Sequence, residues 1–297
     1  MKRALGAETL ITKKYAKRSQ FAEILHRLRK NKGAMAGLII IAVVVLLFII
    51  SLIVISYEMI TQGDVTYRLA KPSWKYPFGN DQMGRNLFAR VLYGTRYSLA
   101  IGFGGSIISA FFGITLGAIA GFYGGMRESL IMRFTDILSS VPGILLGMVI
   151  VTALGPSLIN LVITVGITCL PIYIRMTRSA IISLRNLEFV EAAHAIGLSN
   201  PRIIITHILP NGMSPIIITF TMHFGVMIII AAGLSYLGYG IAFPKPEWGA
   251  LISGSKDFMR VAPHLLLFPG LFIMVTVLAF NLLGDGLRDA LDPKLKQ

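Results

Sequence analysis

The chain has little of what usually carries chemistry: one cysteine, five histidines, two tryptophans and 14 acidic residues in 297. A single cysteine, Cys169, excludes an intrachain disulfide and any cysteine-cluster metal site, and is silent about compartment. The histidines, His26, His194, His207, His223 and His264, form no H-E-x-x-H pair or other zinc spacing. There is no G-x-S-x-G elbow and no Walker A loop, so neither a hydrolase nor a chain that itself holds ATP is expected. Charge of either sign is scarce: 14% of residues, against 55% hydrophobic and a mean hydropathy of +0.72. Water-soluble domains do not carry that balance, and an integral membrane protein does. The net charge of +14 would point to nucleic acid in a soluble chain. Here the cations lie between apolar runs, so the expected partner is a lipid bilayer and not a nucleic acid.

Charge at the centre of a bilayer helix costs roughly 2.5–3.5 kcal/mol, and crossing takes about 20 residues, so long uncharged intervals locate the spans. Residues 33–57 and 97–126 each hold one helix, and 203–244 holds another over roughly 213–238. The interval 261–284 holds the last. Between them, 137–174 is too long for one span and is broken by the turn signal Gly155-Pro156-Ser157, so it reads as two short helices in a hairpin. This makes six transmembrane helices. Alternating the connecting segments between two sides puts 19 Lys and Arg on the side with both termini and 9 on the other. The termini are therefore expected to be cytoplasmic, with Trp74 and Trp248 in the outer segments.

A cleaved signal peptide does not fit, because the first apolar run is about twice a normal h-region and no small-residue cleavage site follows it. Ahead of it, Phe21, Ile24, Leu25 and Leu28 recur at helical spacing among Arg27, Arg29 and Lys30. That pattern suits a helix lying on the inner leaflet; a solvated basic tail is the alternative. In the outer segment, Phe78-Gly79-Asn80-Asp81 reads as a turn and residues 83–93 as a short helix along the surface.

Ion-coupled transporters keep ionisable groups inside their spans. These spans hold only His223, best read as a neutral residue bonding between helices, so transport would need another energy source. Gly113, Gly117 and Gly121, at four-residue steps, bare one helix face to close packing. Between spans, residues 175–212 hold unusually ordered signals. Glu188 and Glu191 favour a helix start, Phe189, Val190 and Ala193 form an apolar edge, and Gly197 ends the helix. Ser199-Asn200-Pro201 caps a second helix with Pro201 at its first position, and Leu209-Pro210-Asn211 stops it. A helix-turn-helix with small residues at its tip is a suitable surface for a partner protein.

Glu191-Ala192-Ala193, Gly197 and then Leu209-Pro210 resemble the EAA loop of bacterial ABC importer permeases. His207 stands where the fuller pattern has isoleucine, which makes it a poor candidate for a contact. Three further stretches resemble the peptide branch, whose members move dipeptides, oligopeptides or nickel and metal chelates. These are Phe78-Gly79-Asn80-Asp81 with Gly84-Arg85 and 90–94, Glu247-Trp248-Gly249, and the closing run from Phe280 to Pro293.

The resemblance implies an all-helical membrane protein of the type I ABC importer permease fold. It implies a second permease subunit, two ATPase subunits that bind ATP and magnesium, and an extracytoplasmic binding protein. The chain itself would be neither catalytic nor cofactor-binding. Residues 190–199 would dock in an ATPase subunit, with Glu191 in contact, Ala192 and Ala193 permitting close approach and Gly197 making the turn. Glu247, Trp248 and Gly249 would form an outer gate or meet the binding protein. Uncharged Ser139, Ser140, Asn160 and Thr164 would face the cargo or bond neighbouring helices; the sequence leaves both open. The implied division is a tail with the amphipathic helix (1–36), a first membrane helix (37–57), an extracytoplasmic segment (58–95), a transmembrane domain (96–285) with the coupling loop at 184–211, and a tail (286–297). Peptide uptake is the expected activity and metal-chelate uptake the alternative. An ion-coupled transporter or a structural subunit would differ in needing no ATP or in moving nothing.

Overall fold

A computed structural model describes residues 20–291; Asp292, Pro293 and the rest of the two tails lie outside it. Among the described residues every regular element is a helix, apart from an isolated bridge between Asn80 and Asn86, and the longest irregular stretches are 68–86 and 237–247. In chain order the helices are α1 (Gln20–Lys30), α2 (Lys32–Val54), α3 (Tyr57–Thr61), α4 (Leu87–Tyr123), α5 (Gly125–Ser140), α6 (Gly143–Leu154) and α7 (Leu158–Leu184). They continue with α8 (Glu188–Ala195), α9 (Asn200–Ile203), α10 (Leu209–Asn211), α11 (Met213–Tyr236), α12 (Trp248–Ser255) and α13 (His264–Leu291).

Five helices, α2, α4, α7, α11 and α13, are long and apolar enough to span a membrane. The sixth expected span is different. Its 12-residue arm α6 is about 18 Å long, short of a hydrocarbon core of about 30 Å. It continues from α5 through a 93° bend at Val141-Pro142. Pro142 cannot donate into a continuing helix, and it drives Val141 into the extended region, φ −98° and ψ 131°. The hairpin expected after it is present: Gly155 turns at φ +87°, and Ser157 caps α7 by accepting the Asn160 N–H at 3.1 Å.

The separate surface helix expected over 83–93 does not form. Asn86 caps α4, accepting from the Ala89 N–H, and the helix then runs 37 residues, about 55 Å, without interruption. Gly94 lies inside it and ends nothing; its missing side chain makes room for the Pro246 carbonyl, which a Cβ would meet at 2.1 Å.

The glycine stripe joins α4 to α7. A Cβ on Gly113 would sit 2.3 Å from the Tyr173 Cβ, one on Gly117 2.6 Å from the Ile174 carbonyl, and one on Gly121 2.8 Å from the Arg178 carbonyl. The Ser109 hydroxyl donates to the Gly166 carbonyl at 2.6 Å across the same seam. At the periphery, α2 packs on α13, where Gly37 lets the Ala279 carbonyl approach. The amphipathic α1 buries Leu28 beside Gly286 of α13, so its apolar side rests on protein as well as facing outward through half-exposed Leu25. Asn31 caps α2 and also donates to Asp289 at 3.0 Å.

Candidate coupling surface

One end of the bundle carries the segment between α7 and α11. Glu188 and Glu191 occupy the first turn of α8, where acidic side chains complement the helix dipole. The helix closes with both bonds of a Schellman turn: the Gly197 N–H to the His194 carbonyl at 2.9 Å and the Leu198 N–H to the Ala193 carbonyl at 3.2 Å. Gly197 sits at φ +80°, which only glycine adopts freely, and open space lies where its Cβ would be. The chain then reverses into α9, a π-helical stretch over 204–208 and α10. Pro201 occupies the second helical position and not the first, and Ser199 makes no side-chain cap. Pro210 does not stop the helix either; the break before α11 falls at Gly212.

Val190, Ala193, Ile203, Ile204 and Ile208 are buried together against Ala118 of α4 and Ile181 of α7. Arg185 donates to the Gly121 carbonyl at 2.8 Å, and the His194 ring stacks on Phe122 at 6.2 Å. These contacts seat α8 on the ends of α4 and α7. The opposite side of α8 faces out, presenting Glu188, Glu191, Ala192, Ala195 and Gly197. Exposed apolar residues flank it: Ile196 at 76%, Ile205 at 64% and Leu187 at 44%. Glu191, Ala192 and Gly197 therefore share the outward face, with Pro210 exposed and Leu209 half-buried nearby. Ala193 does not share it. One turn from Val190 and 3% exposed, it packs inward, so the close approach expected of it is made to α4 and α7. The flanking apolar side chains were not singled out from the sequence. His207 is half-buried, its Nδ1 2.6 Å from the Thr206 hydroxyl.

At the other end, Glu247 and Trp248 are 1% and 0% exposed. Glu247 caps α12, its carboxylate accepting from the Gly249 N–H at 2.8 Å and the Ala250 N–H at 2.9 Å. The Trp248 indole donates to the Val91 carbonyl at 3.0 Å. A Cβ on Gly249 would sit 2.4 Å from the Ala232 Cα, so α12 lies backbone-close on α11. Glu247, Trp248 and Gly249, expected to form an outer gate or to meet the binding protein, are buried in contacts that hold α12 between α4 and α11.

Of the candidate pathway residues, Ser139, Ser140 and Thr164 donate to carbonyls of their own helices, and Asn160 to those of Leu154 and Gly155. Thr164 is buried, whereas Ser139 and Ser140 are exposed. His223 bonds the Thr219 carbonyl within α11 and meets the Tyr173 ring of α7 edge-on at 5.9 Å.

Residues 113–297 match the family described as binding-protein-dependent transport system inner membrane component, and residues 19–72 match the N-terminal TM domain of oligopeptide transport permease C. The dipeptide transport system permease protein DppC of Alkalihalophilus pseudofirmus is 47% identical over 95% of this chain and 92% of its own length. The glutathione transport system permease protein GsiD of Pectobacterium atrosepticum is 39% identical over 99% and 98%. The di/tripeptide transport system permease protein DppC of Pseudomonas aeruginosa is 40% identical over 94% and 93%. Among solved structures, an inward-facing MetNI methionine ABC transporter aligns with 69% of this chain and 98% of its own, at a TM-score of 0.57 and 15% identity, a likeness of fold.

Proposed function

Because the chain belongs to the family of binding-protein-dependent transport system inner membrane components, as a permease of the peptide ABC importer kind in a multi-pass cell-membrane setting, we propose that it forms, with a second permease subunit, the path by which short peptides enter the cytoplasm. Two ATPase subunits power the cycle and an extracytoplasmic binding protein delivers the cargo. The observation that carries the reading is near full-length similarity to permeases named for dipeptides, di/tripeptides and glutathione, all of them peptides. Those names favour peptide cargo over a metal chelate.

Mechanistically, the outward face of α8 docks in a groove of an ATPase subunit. Glu191 pairs with a cation or backbone donor there, Ala192 permits close approach, and Leu187, Ile196 and Ile205 bury apolar area around them. The inward face, through Val190 and Ala193, hands displacement of α8 to α4 and α7. Closure of the ATPase pair then switches the permease pair between two packed arrangements. No residue of this chain need touch ATP.

The test is uptake by proteoliposomes of the co-expressed assembly with its binding protein, offered labelled dipeptides and, separately, nickel with a chelator. Dipeptide accumulation that requires ATP is expected. Metal uptake without dipeptide uptake, or dipeptide uptake that persists without ATP, overturns the reading.

A further inference from the structure

At the end of the bundle opposite α8, a cavity of about 340 Å³ opens between the start of α4, the 238–245 loop and α12. Its charges do not balance. Asp81 accepts from Arg85 Nε at 2.7 Å and lies 3.5 Å from Arg90 Nε, so two guanidinium groups share one carboxylate. All three side chains are at most 5% exposed, and Lys245 adds a third cation to the wall. Asp81 is the single carboxylate among the lining residues.

The donors are also incompletely used. Arg85 bonds Asp81 through Nε, which leaves its two Nη groups without a protein acceptor among the described residues. Among the described residues Arg90 Nε and the Ser235 hydroxyl, both buried and both at this cavity, have no hydrogen-bond partner, and neither does a buried acceptor there, Gln82 Oε1. Buried cations in excess of their counter-charge are costly, and so are buried donors without acceptors. A site of that kind is completed by an anion. Its volume exceeds what an inorganic anion fills, and Leu87, Ile241 and Leu251 line it beside the cations. The lining therefore suits a small molecule with one carboxylate and an apolar remainder.

We propose that this cavity binds the C-terminal carboxylate of a short peptide, gripped by Arg85 through its Nη pair with Arg90 and Lys245 supplying charge. The anion site follows from the cavity alone; that the anion is a peptide rests on the reading in the preceding section.

The experiment titrates the nanodisc-embedded assembly of this chain and its co-expressed subunits with alanyl-phenylalanine, its C-terminal amide and inorganic phosphate. Loss of a charge-assisted bidentate contact predicts that the free acid binds about tenfold or more tightly than the amide. Arg85→Gln should bring the acid-to-amide binding ratio to about one. Lys245→Gln, at an exposed position, should narrow the same ratio about threefold, and it carries the comparison if Arg85→Gln fails to assemble. Equal binding of acid and amide to the unaltered protein overturns the proposal, as does an acid-to-amide ratio that survives both substitutions. Phosphate that competes with the acid at equal concentration assigns the site to inorganic anions and also overturns it. The two readings fail separately. Absent ATP-driven uptake of either peptide by the complete transporter rejects peptide cargo, whereas normal uptake with an acid-to-amide binding ratio of one rejects only the cavity.

Discussion

Replacing Gly197 separates backbone geometry from surface contact at the proposed docking helix. Its φ of +80° costs an ordinary L-residue about 1–2 kcal/mol, and asparagine less. Nothing lies within 4 Å of where a Cβ would stand, so the cost is conformational and not a clash inside this chain. If docking selects the closed Schellman turn, the apparent affinity for the ATPase falls by the fraction of chains holding that turn. Since 1.4 kcal/mol is a factor of ten, the loss is at most about 5- to 30-fold for Gly197→Ala, larger for Gly197→Val because of its β-branch, and small for Gly197→Asn. The assay is retention of the ATPase subunits by tagged permease through a salt series, run beside ATP-dependent uptake in proteoliposomes. The expected order of impairment is Val, Ala, Asn. Asparagine and valine impairing equally would mean that side-chain volume at the interface, and not the left-handed turn, sets the effect. Unaltered uptake with valine would remove α8 from coupling altogether.

Other outcomes follow from the packing. Gly117→Ala puts a Cβ 2.6 Å from the Ile174 carbonyl and should cost about 1–3 kcal/mol, seen as a lower thermal midpoint in detergent; Gly270→Ala, helical with nothing within 4 Å, should leave the midpoint unchanged or raise it. Glu247→Ala removes a buried cap from α12 and should cost about 2 kcal/mol, at the upper end for caps, with Glu247→Gln losing less; equal midpoints for the two would contradict the capping role. Arg178 and Glu128 tie α7 to α5 in a partly exposed pair, so a double-mutant cycle to alanine should return a coupling of about 0.2–1 kcal/mol that shrinks in high salt.

Much of this architecture was readable because membrane and helix physics act locally. A charge in a span is so unfavourable that gaps between charges mark the helices, and the left-handed demand at the end of α8 is met by the one residue suited to it, Gly197. The failures have physical causes too. The 137–174 interval holds the two helices and hairpin expected of it, but the bend at Val141-Pro142 makes the sixth span a broken one, α5 and α6 together, where the sequence suggested a short continuous helix. The surface helix expected over 83–93 is the start of α4, and the Pro246 carbonyl that occupies the place of Gly94's missing side chain is 152 residues away in sequence. Ala193 packs beside Val190, as its place on the apolar edge implied, and not on the docking face to which the resemblance assigned it. Glu247 beside Trp248 looks like a surface pair until the N–H groups it caps are located, and although Asp81, Arg85 and Arg90 stand close in sequence, the cavity they line appears only once the fold brings 235–255 against them.

The glycine seam between α4 and α7 has a mechanical consequence. Side chains interleaved between two helices act as a compliant layer, able to absorb a push by changing rotamers. Backbone resting on backbone has no such layer. The two helices therefore behave as one stiff strut, tied to each other at one end by Arg185, where α8 rests through His194 on Phe122, with the Arg90 end of α4 at the other. If α8 takes the coupling role proposed for it, a push there tilts the strut as a lever and carries the far end with it.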